Sequence, residues 1–124
     1  MFDITNEGII TLSRGDSISI PLFINIGTEI VPIRYKLQDN NVLYLGICEP
    51  DQLFEDAIFK KVYRPGDWKL NKCGDIVISL TPEDTSLLHA GLYYYTIKLL
   101  TINKVDNSEN VQTIIKKTKF FIED

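Results

Sequence analysis

The segment TPEDTSLLHAGLYYY, residues 81–95, decides the fold class of this 124-residue chain. Thr81 is suited to cap a short helical turn by accepting a backbone N–H, and Pro82 fits the first helical position, where no N–H is needed. Two carboxylates follow at the positive end of the helix dipole, which favours them. Gly91 then ends the local structure, and a tyrosine-rich strand begins. The segment predicts a short helical turn over residues 82–88, between two strands.

Alternating apolar residues predict strands on both sides of this turn. Residues 17–26, 75–80 and 91–102 place apolar side chains at every second position, which is the pattern of a half-buried strand. About eight such segments are separated by turns, and this spacing indicates an all-β sandwich or barrel. We predict a single domain over residues 1–124, an antiparallel β-sandwich with immunoglobulin-like packing. A small β-barrel is the alternative.

The other segments add further predicted strands and connections. Residues 30–37 read as a strand interrupted by a proline, and residues 42–48 as a strand covered on both faces, because they are nearly all apolar. Residues 49–56 form an acidic connection with room for one helical turn. Residues 103–110 are predicted to be a polar hairpin loop. Residues 111–122 are predicted to form two strands or one bent strand.

Composition, charge and hydropathy argue against nucleic acid and membranes as partners. The chain is 44% hydrophobic and 24% charged with a net charge of −4, which is ordinary for a globular protein and argues against a nucleic-acid partner. The basic cluster of Lys116, Lys117 and Lys119 is more typical of a lysine-protected strand edge than of a phosphate site. No run of about 18 apolar residues is present, so we predict no membrane partner.

The first residues indicate where the chain is made, and the cysteines indicate free thiols. Residues 1–7 lack the positive region and the cleavage site of a secretory signal, so we expect the chain to be made in the cytoplasm of its producing cell. Cys48 and Cys73 have no metal-ligand spacing and are too few for a disulfide framework. We expect two free thiols, with Cys48 buried in a strand.

Residues suited to catalysis or metal binding are scarce. The single histidine, His89, has no nucleophile or carboxylate that the sequence places beside it, so we interpret it as a loop histidine. The acidic residues of segment 49–56 do not match a calcium-binding loop and are interpreted as a solvated connection. We predict no catalytic residue, no cofactor and no metal. The chain is not expected to be an enzyme.

Aromatic residues are the best candidates for a binding surface. Alternation or loop position predicts that Tyr63, Trp68 and Tyr94 are partly exposed, and such rings anchor protein interfaces or stack on sugars. We add the 103–110 loop, represented by Asn107 and Asn110, as a surface contact. Trp68 has an alternative role, since a large aromatic also caps one end of a sandwich.

Five short motifs occur in order along the chain: SRGDS at 13–17, the lysine pair at 60–61, IVISLTPEDT at 76–85, GLYYY at 91–95 and TIIKKTKFFI at 113–122. Together they resemble small structural proteins of tailed bacteriophages that infect Firmicutes and gut bacteria. The resemblance spans essentially the whole chain and includes the N-terminal module of baseplate upper proteins and small head-fibre or neck proteins.

The resemblance implies a function as well as a fold. It implies an immunoglobulin-like, non-enzymatic protein of the virion that binds capsid, neck or tail/baseplate proteins in a symmetric multi-copy assembly. Baseplate upper proteins continue into a receptor-binding part, whereas this sequence ends at Asp124, so we expect the adaptor module alone. The Arg-Gly-Asp triplet at 14–16 is a turn before a strand rather than an integrin ligand. The alternative function is a carbohydrate-binding module for host adhesion, with Trp68 as its platform.

Overall fold

Alternating sequence patterns become strands in a computed structural model that describes residues 2–5 and 7–124. The described residues form eight strands, one α-helix and one short 3-10 helix at Phe54–Asp56. The strands are β1 (Phe2–Ile4), β2 (Ile10–Ser13), β3 (Ile18–Leu22), β4 (Asn41–Cys48), β5 (Phe59–Tyr63), β6 (Ile76–Leu80), β7 (Gly91–Ile102) and β8 (Glu109–Glu123), and helix α1 covers Pro82–Ser86. The predicted all-β class is confirmed.

The strands form two sheets of unequal size. One has six strands in the order β1-β2-β8-β7-β4-β5, and the other contains only β3 and β6. The pairs are antiparallel apart from β2 with β8, which run parallel with Ile10 opposite Phe120. The prediction of purely antiparallel sheets is therefore wrong for this pair. A parallel pair needs a long crossover connection. Here the connection consists of all the residues between β2 and β8, which include strands β3 to β7.

The hydrophobic core lies between the two sheets. Ile18, Ile78 and Leu80 from the small sheet join one buried cluster with β4, β7 and β8 of the large sheet. On β7, the residues predicted to share a face are all buried: Tyr93, Tyr95, Ile97 and Leu99. The immunoglobulin-like form of this packing stays a prediction.

Strand β4 is covered on both faces, as predicted. Its residues are buried apart from Tyr44, which is half-buried. On the outer face, the ring of Phe54 from the 3-10 helix lies directly over Gly46, where a Cβ would approach the ring carbon Cε2 to 2.6 Å. The acidic connection therefore contains the predicted helical turn, and this turn covers the sheet.

Helix α1 has the predicted cap. The Thr81 hydroxyl accepts the N–H of Asp84 at 3.2 Å, and the Asp84 carboxylate accepts the N–H of Thr81 at 2.9 Å. This reciprocal pair is a capping box with an aspartate in the third position. The buried Thr85 hydroxyl also donates to the Asp16 carbonyl at 2.7 Å, so the helix is fixed to the turn before β3.

The predicted strands over 17–26 and 30–37 are wrong in extent. Strand β3 ends at Leu22, and the described residues of 30–37 form no named strand. Instead, residues 23–34 make a hairpin in which the Ile26 N–H donates to the Ile33 carbonyl at 2.9 Å. The alternating pattern continues past Leu22 because a hairpin arm has the same period of two as a sheet strand.

The C-terminal residues form one long strand, which confirms the bent-strand alternative. Register shifts opposite Tyr95, Ile97 and Lys98 mark its irregular region. Strand β2 pairs with β8 only over residues 120–123, so the described pairing leaves residues 109–119 with β7 on one side. The three clustered lysines lie on this edge segment, as predicted.

Candidate functional site

Hydrogen bonds join the two arms of the hairpin of residues 23–34, which we call the apolar finger. The Thr28 N–H donates to the Val31 carbonyl at 3.0 Å near the tip. The Asn25 side-chain oxygen accepts the N–H groups of Gly27 at 2.8 Å and Ile33 at 3.0 Å. A Cβ at Gly27 would approach the Val31 carbonyl oxygen to 2.3 Å, so a glycine is needed there. The finger is an ordered element of the structure.

The finger presents apolar side chains to solvent. Ile30 is 91% exposed at the tip, and Ile26, Val31 and Ile33 are each more than half exposed. Phe23, nearer the base, is 42% exposed. Scattered apolar side chains on a surface need no explanation, whereas a group of them on one hairpin is a candidate interaction surface.

The base of the finger is tied to the body of the domain. Arg34 forms an ion pair with the buried Asp75 at 2.5 Å, and its guanidinium lies 4.8 Å from the centre of the Phe23 ring. Ile24 is buried in the core, and its carbonyl accepts the N–H of Tyr35 at 2.8 Å. These contacts hold the base of the finger against the body of the domain.

A second feature is an apolar crevice of about 170 Å³ between the two sheets. Its walls carry aliphatic and aromatic side chains from both sheets, including Ile10, Ile20, Ile115 and Phe120. The exposed residues Ile4 and Pro21 also line it, so the crevice reaches the surface beside β1 and β3.

Strand β3 has one edge with which no described strand pairs. The N–H of Ser79 on the neighbouring β6 bonds to the Tyr63 hydroxyl at 3.2 Å, and the N–H of Val77 bonds to the Lys69 carbonyl at 2.8 Å. These groups of β6 therefore point away from β3. In an antiparallel ladder the residues opposite them direct their backbone groups to the other side: the N–H and carbonyl of Ser19, and the carbonyl of Pro21, which has no N–H. No described strand pairs with that side.

Tyr63 is not exposed, so that part of the predicted surface is wrong. The residue is 5% exposed, and its hydroxyl lies 3.2 Å from both the N–H and the carbonyl oxygen of Ser79. Burial raises the pKa of the phenol above its usual value. The burial comes from β6, a partner distant in sequence, which the alternation within β5 does not reveal.

The other predicted contact residues do not form one surface. Tyr94 is half-buried on the outer face of β7 under Lys117, whose Nζ lies 5.5 Å from the ring centre. Asn107 and Asn110 are exposed at the far end of the β7–β8 hairpin. Tyr94 pairs with Lys119 while Asn110 pairs with a residue seven positions along β7, a separation of roughly 23 Å.

Trp68 packs against the core and is half-buried. This placement agrees with the alternative that the indole caps one end of the sandwich. A flat sugar platform requires an open ring face, and the contacts with the core cover part of this ring.

The motif residues behind the phage resemblance act as structural clamps. The Arg14 guanidinium donates to the Ser86 carbonyl at 3.0 Å, which fixes the Arg-Gly-Asp turn to α1. The Lys61 ammonium donates to the Ser79 carbonyl at 2.7 Å and lies 3.5 Å from the Asp84 carboxylate. Burial raises the pKa of Asp84, but the hydrogen bonds from Thr81 and the charge of Lys61 outweigh it, so the pKa is lowered.

Reactive side chains in the described residues are dispersed. His89 is exposed, and its carbonyl accepts the Tyr93 hydroxyl at 2.8 Å. No group of three or more acidic, histidine or cysteine residues in the described ranges is placed to hold a metal ion. Cys48 is a buried free thiol whose pKa is raised by burial, and Cys73 is an exposed free thiol. Both thiols are free, as predicted.

Sequence reasoning did not predict the finger. Its apolar residues fall in two predicted strands, 17–26 and 30–37, and alternate side chains of the first were expected to face the core. The sequence does contain a signal, since Gly27-Thr28-Glu29 lies between two apolar segments and is typical of a hairpin turn. The exposure of Ile30 and Val31 depends on where the rest of the chain packs.

The comparisons with known proteins add no relative. No family model, curated protein or solved structure matches the chain. Among the described residues, the helices are too short and too polar to cross a lipid bilayer.

Proposed function

We propose that the chain is a non-enzymatic structural or adaptor protein of a bacteriophage virion, which binds capsid, neck or tail/baseplate proteins through its apolar finger. The observation that carries the binding role is the exposed tip, where Ile30 is 91% exposed and Val31 is 63% exposed. The virion setting rests on the motif resemblance described above.

The finger has the physical properties of a protein anchor. Its apolar tip gains free energy when a partner removes it from water, by about 1.5–3 kcal/mol for each fully buried aliphatic side chain. Its base is already ordered by the Arg34–Asp75 ion pair, so little further ordering is required. A few such anchors supply most of the binding energy in protein interfaces.

A particle-incorporation assay tests this proposal. A phage lacking the gene is complemented with wild-type protein or with Ile30→Asp, and purified particles are analysed by quantitative mass spectrometry. We expect wild type in the particles and at least about a tenfold loss of Ile30→Asp, because burying one unpaired carboxylate costs more than about 1.4 kcal/mol.

The matched control is Val105→Asp, which makes a similar change at a residue that is 95% exposed in the β7–β8 hairpin loop. We expect it to enter particles as wild type does. If Val105→Asp is lost and Ile30→Asp is retained, the loop predicted from sequence is the contact surface and the finger is not. Absence of the wild-type protein from the particles would overturn the virion role.

A further inference from the structure

We infer that the edge of β8 over residues 109–113 pairs antiparallel with the same segment of a second copy, so that two chains join their large sheets in a two-fold dimer. This inference goes beyond the proposed function and does not depend on the apolar finger. It concerns a surface that the finger does not use.

The backbone of this segment has hydrogen-bonding groups on the side away from β7. The Ile102 N–H of β7 donates to the Asn40 carbonyl at 2.9 Å, and the Asn103 N–H donates to the Ser108 carbonyl at 2.8 Å. Bonding directions alternate along an antiparallel ladder, so Ile102 bonds on the β4 side and the residue opposite it on β8 bonds on the outer side. The β8 residues that direct both backbone groups outward are Glu109, Val111 and Thr113. No described strand pairs with this side of residues 109–113.

Residues 109–113 lack the features that protect the other sheet edges. Lysines, prolines, bulges and short strands are the usual protection against edge pairing. Strand β1 has only three residues, β3 contains Pro21, and β5 contains Lys60 and Lys61. Within β8, the three clustered lysines and both register shifts lie beyond Thr113. The segment 109–113 is therefore a regular and exposed edge without lysine or proline.

The segment is complementary to itself when two copies pair about Val111. Outward-directed residues must face one another, so Val111 lies opposite Val111 of the second copy, and Glu109 lies opposite Thr113. These pairs join two apolar side chains, and a carboxylate with a hydroxyl that donates to it. On the other face, Asn110 lies opposite Gln112, and the two amides are able to bond to each other. Like charges do not face each other within the paired residues, so the repulsion that disfavours an edge contact is avoided.

The same edge has room for the end of the second hairpin. In this register the 103–108 loop of the second copy follows its β8 segment along the edge, beside residues 114–119. Strand β2 occupies that edge of β8 only from Phe120 onward. The second copy therefore fits between the two-fold axis and β2 without displacing a described strand.

The symmetry of this contact has a consequence for the finger. A two-fold axis through an antiparallel pair is perpendicular to the sheet, so the core-facing sides of both large sheets lie on the same side of the dimer. The finger base lies over that side, next to Leu99 and Gln112. Both fingers are then available to one virion surface, and the second finger binds at a raised effective concentration. An isologous contact of this kind closes at two copies.

Sedimentation equilibrium over a wide concentration range tests this inference. Wild type is expected to reach the mass of a dimer as the concentration rises, and not to exceed it. Val111→Lys is expected to remain monomeric, because the register places its two ammonium groups opposite each other. The matched control is Val105→Lys, at a residue that is 95% exposed in the β7–β8 loop. This control and Ile30→Asp, at the finger tip, are both expected to form the dimer.

Mixing two charge variants tests the register about Val111. Val111→Glu is also expected to be monomeric by itself, whereas an equimolar mixture of Val111→Glu and Val111→Lys is expected to form a dimer that contains one of each. The side chain of Val111 is 55% exposed, so both substitutions are tolerated in the monomer. Far-UV circular dichroism checks that each variant is folded.

Disulfide crosslinking gives a second readout that needs no charged substitution. In a Cys73→Ser background the remaining native thiol, Cys48, is buried. Residues that face each other in such a pair have Cα atoms about 5.5 Å apart, which suits a disulfide. We expect Val111→Cys to form a covalent dimer on oxidation. Gln112→Cys is expected to remain uncrosslinked, because its counterpart in the second copy is displaced by two residues along the strand.

Several results would overturn the inference. Wild type that stays monomeric at every concentration would do so, as would Val111→Lys that associates like wild type. Preferential crosslinking of Gln112→Cys would exclude the register about Val111. If Ile30→Asp is monomeric while Val111→Lys forms the dimer, the contact between copies lies at the finger rather than at β8. Loss of Ile30→Asp from particles is a separate result, since that variant is expected to form the dimer whether or not the finger binds the virion.

Discussion

Replacing Gly46 by alanine is expected to destabilise the wild-type protein and to stabilise a Phe54→Ala variant. The Phe54 ring lies over Gly46, and an added Cβ would be 2.6 Å from Cε2 and 2.8 Å from Cδ2 of that ring. The next neighbour, the Ala57 Cβ, would be at an ordinary 3.5 Å. The ring therefore has to move, which separates it from the sheet and from the Lys98 ammonium, now 4.5 Å from the ring centre.

The magnitude follows from two opposing terms. Overpacking at a filled contact costs about 1–3 kcal/mol, whereas alanine in a strand is more stable than glycine by about 0.5–1 kcal/mol. The backbone of Gly46 is not in the left-handed region, so alanine adds no backbone strain. We expect Gly46→Ala to lower the free energy of unfolding by about 1–2 kcal/mol in wild type. In a Phe54→Ala background we expect it to raise that free energy by about 0.5–1 kcal/mol.

The assay is urea unfolding of wild type, both single variants and the double variant, followed by far-UV circular dichroism and by fluorescence of the single tryptophan, Trp68. A change in the unfolding midpoint at constant denaturant slope reports stability. An equal loss in both backgrounds would refute the reasoning, because the cost would then not come from Phe54. A gain in the wild-type background would show that the ring does not pack on Gly46.

Three further predictions concern hydrogen bonding, pH and thiol reactivity. Tyr95→Phe removes a hydroxyl that bonds to the β1–β2 connection at 2.6 Å and is expected to cost about 0.5–1.5 kcal/mol in urea unfolding; an unchanged midpoint would contradict the bond. Asp84→Asn is expected to cost about 0.5–2 kcal/mol at neutral pH, because it weakens the capping box with Thr81. Because the pKa of the Asp84 carboxylate is lowered in the folded state, the carboxylate adds stability above about pH 4, and this stability is lost as the pH falls through the folded-state pKa. The difference in unfolding free energy between wild type and Asp84→Asn should therefore become smaller in acid. A difference that stays constant with pH would contradict this. A thiol reagent should modify Cys73 in the native protein and Cys48 only after unfolding, whereas equal reactivity would show that Cys48 is accessible.

The elements that depend on residues close together in the sequence were predicted best. The capped turn at Thr81 depends on residues within one helical turn of each other, and the structure has the predicted cap. Strands β4, β6 and β7 were predicted because their burial follows a simple pattern within each strand. The parallel pairing of β2 with β8 joins opposite ends of the chain, and no local pattern specifies it.

The binding surface was harder to predict, because exposure depends on distant packing. Tyr63 was expected to be partly exposed and is buried against β6, whereas Ile30 was expected in a strand and lies at the tip of the finger. An alternating pattern shows which side chains share a face but does not show whether another element covers that face. Apolar residues are assigned to the core by default, so a functional apolar surface is the kind of site that sequence reasoning misses.

Cryo-electron microscopy of the particle whose genome encodes this chain tests the central claim most directly. The account predicts repeated copies of the two-sheet domain on the capsid, neck or baseplate, each with residues 23–34 buried against a neighbouring protein. Absence of the domain from every ordered part of the particle, or its presence with Ile30 facing solvent in every copy, would contradict the account.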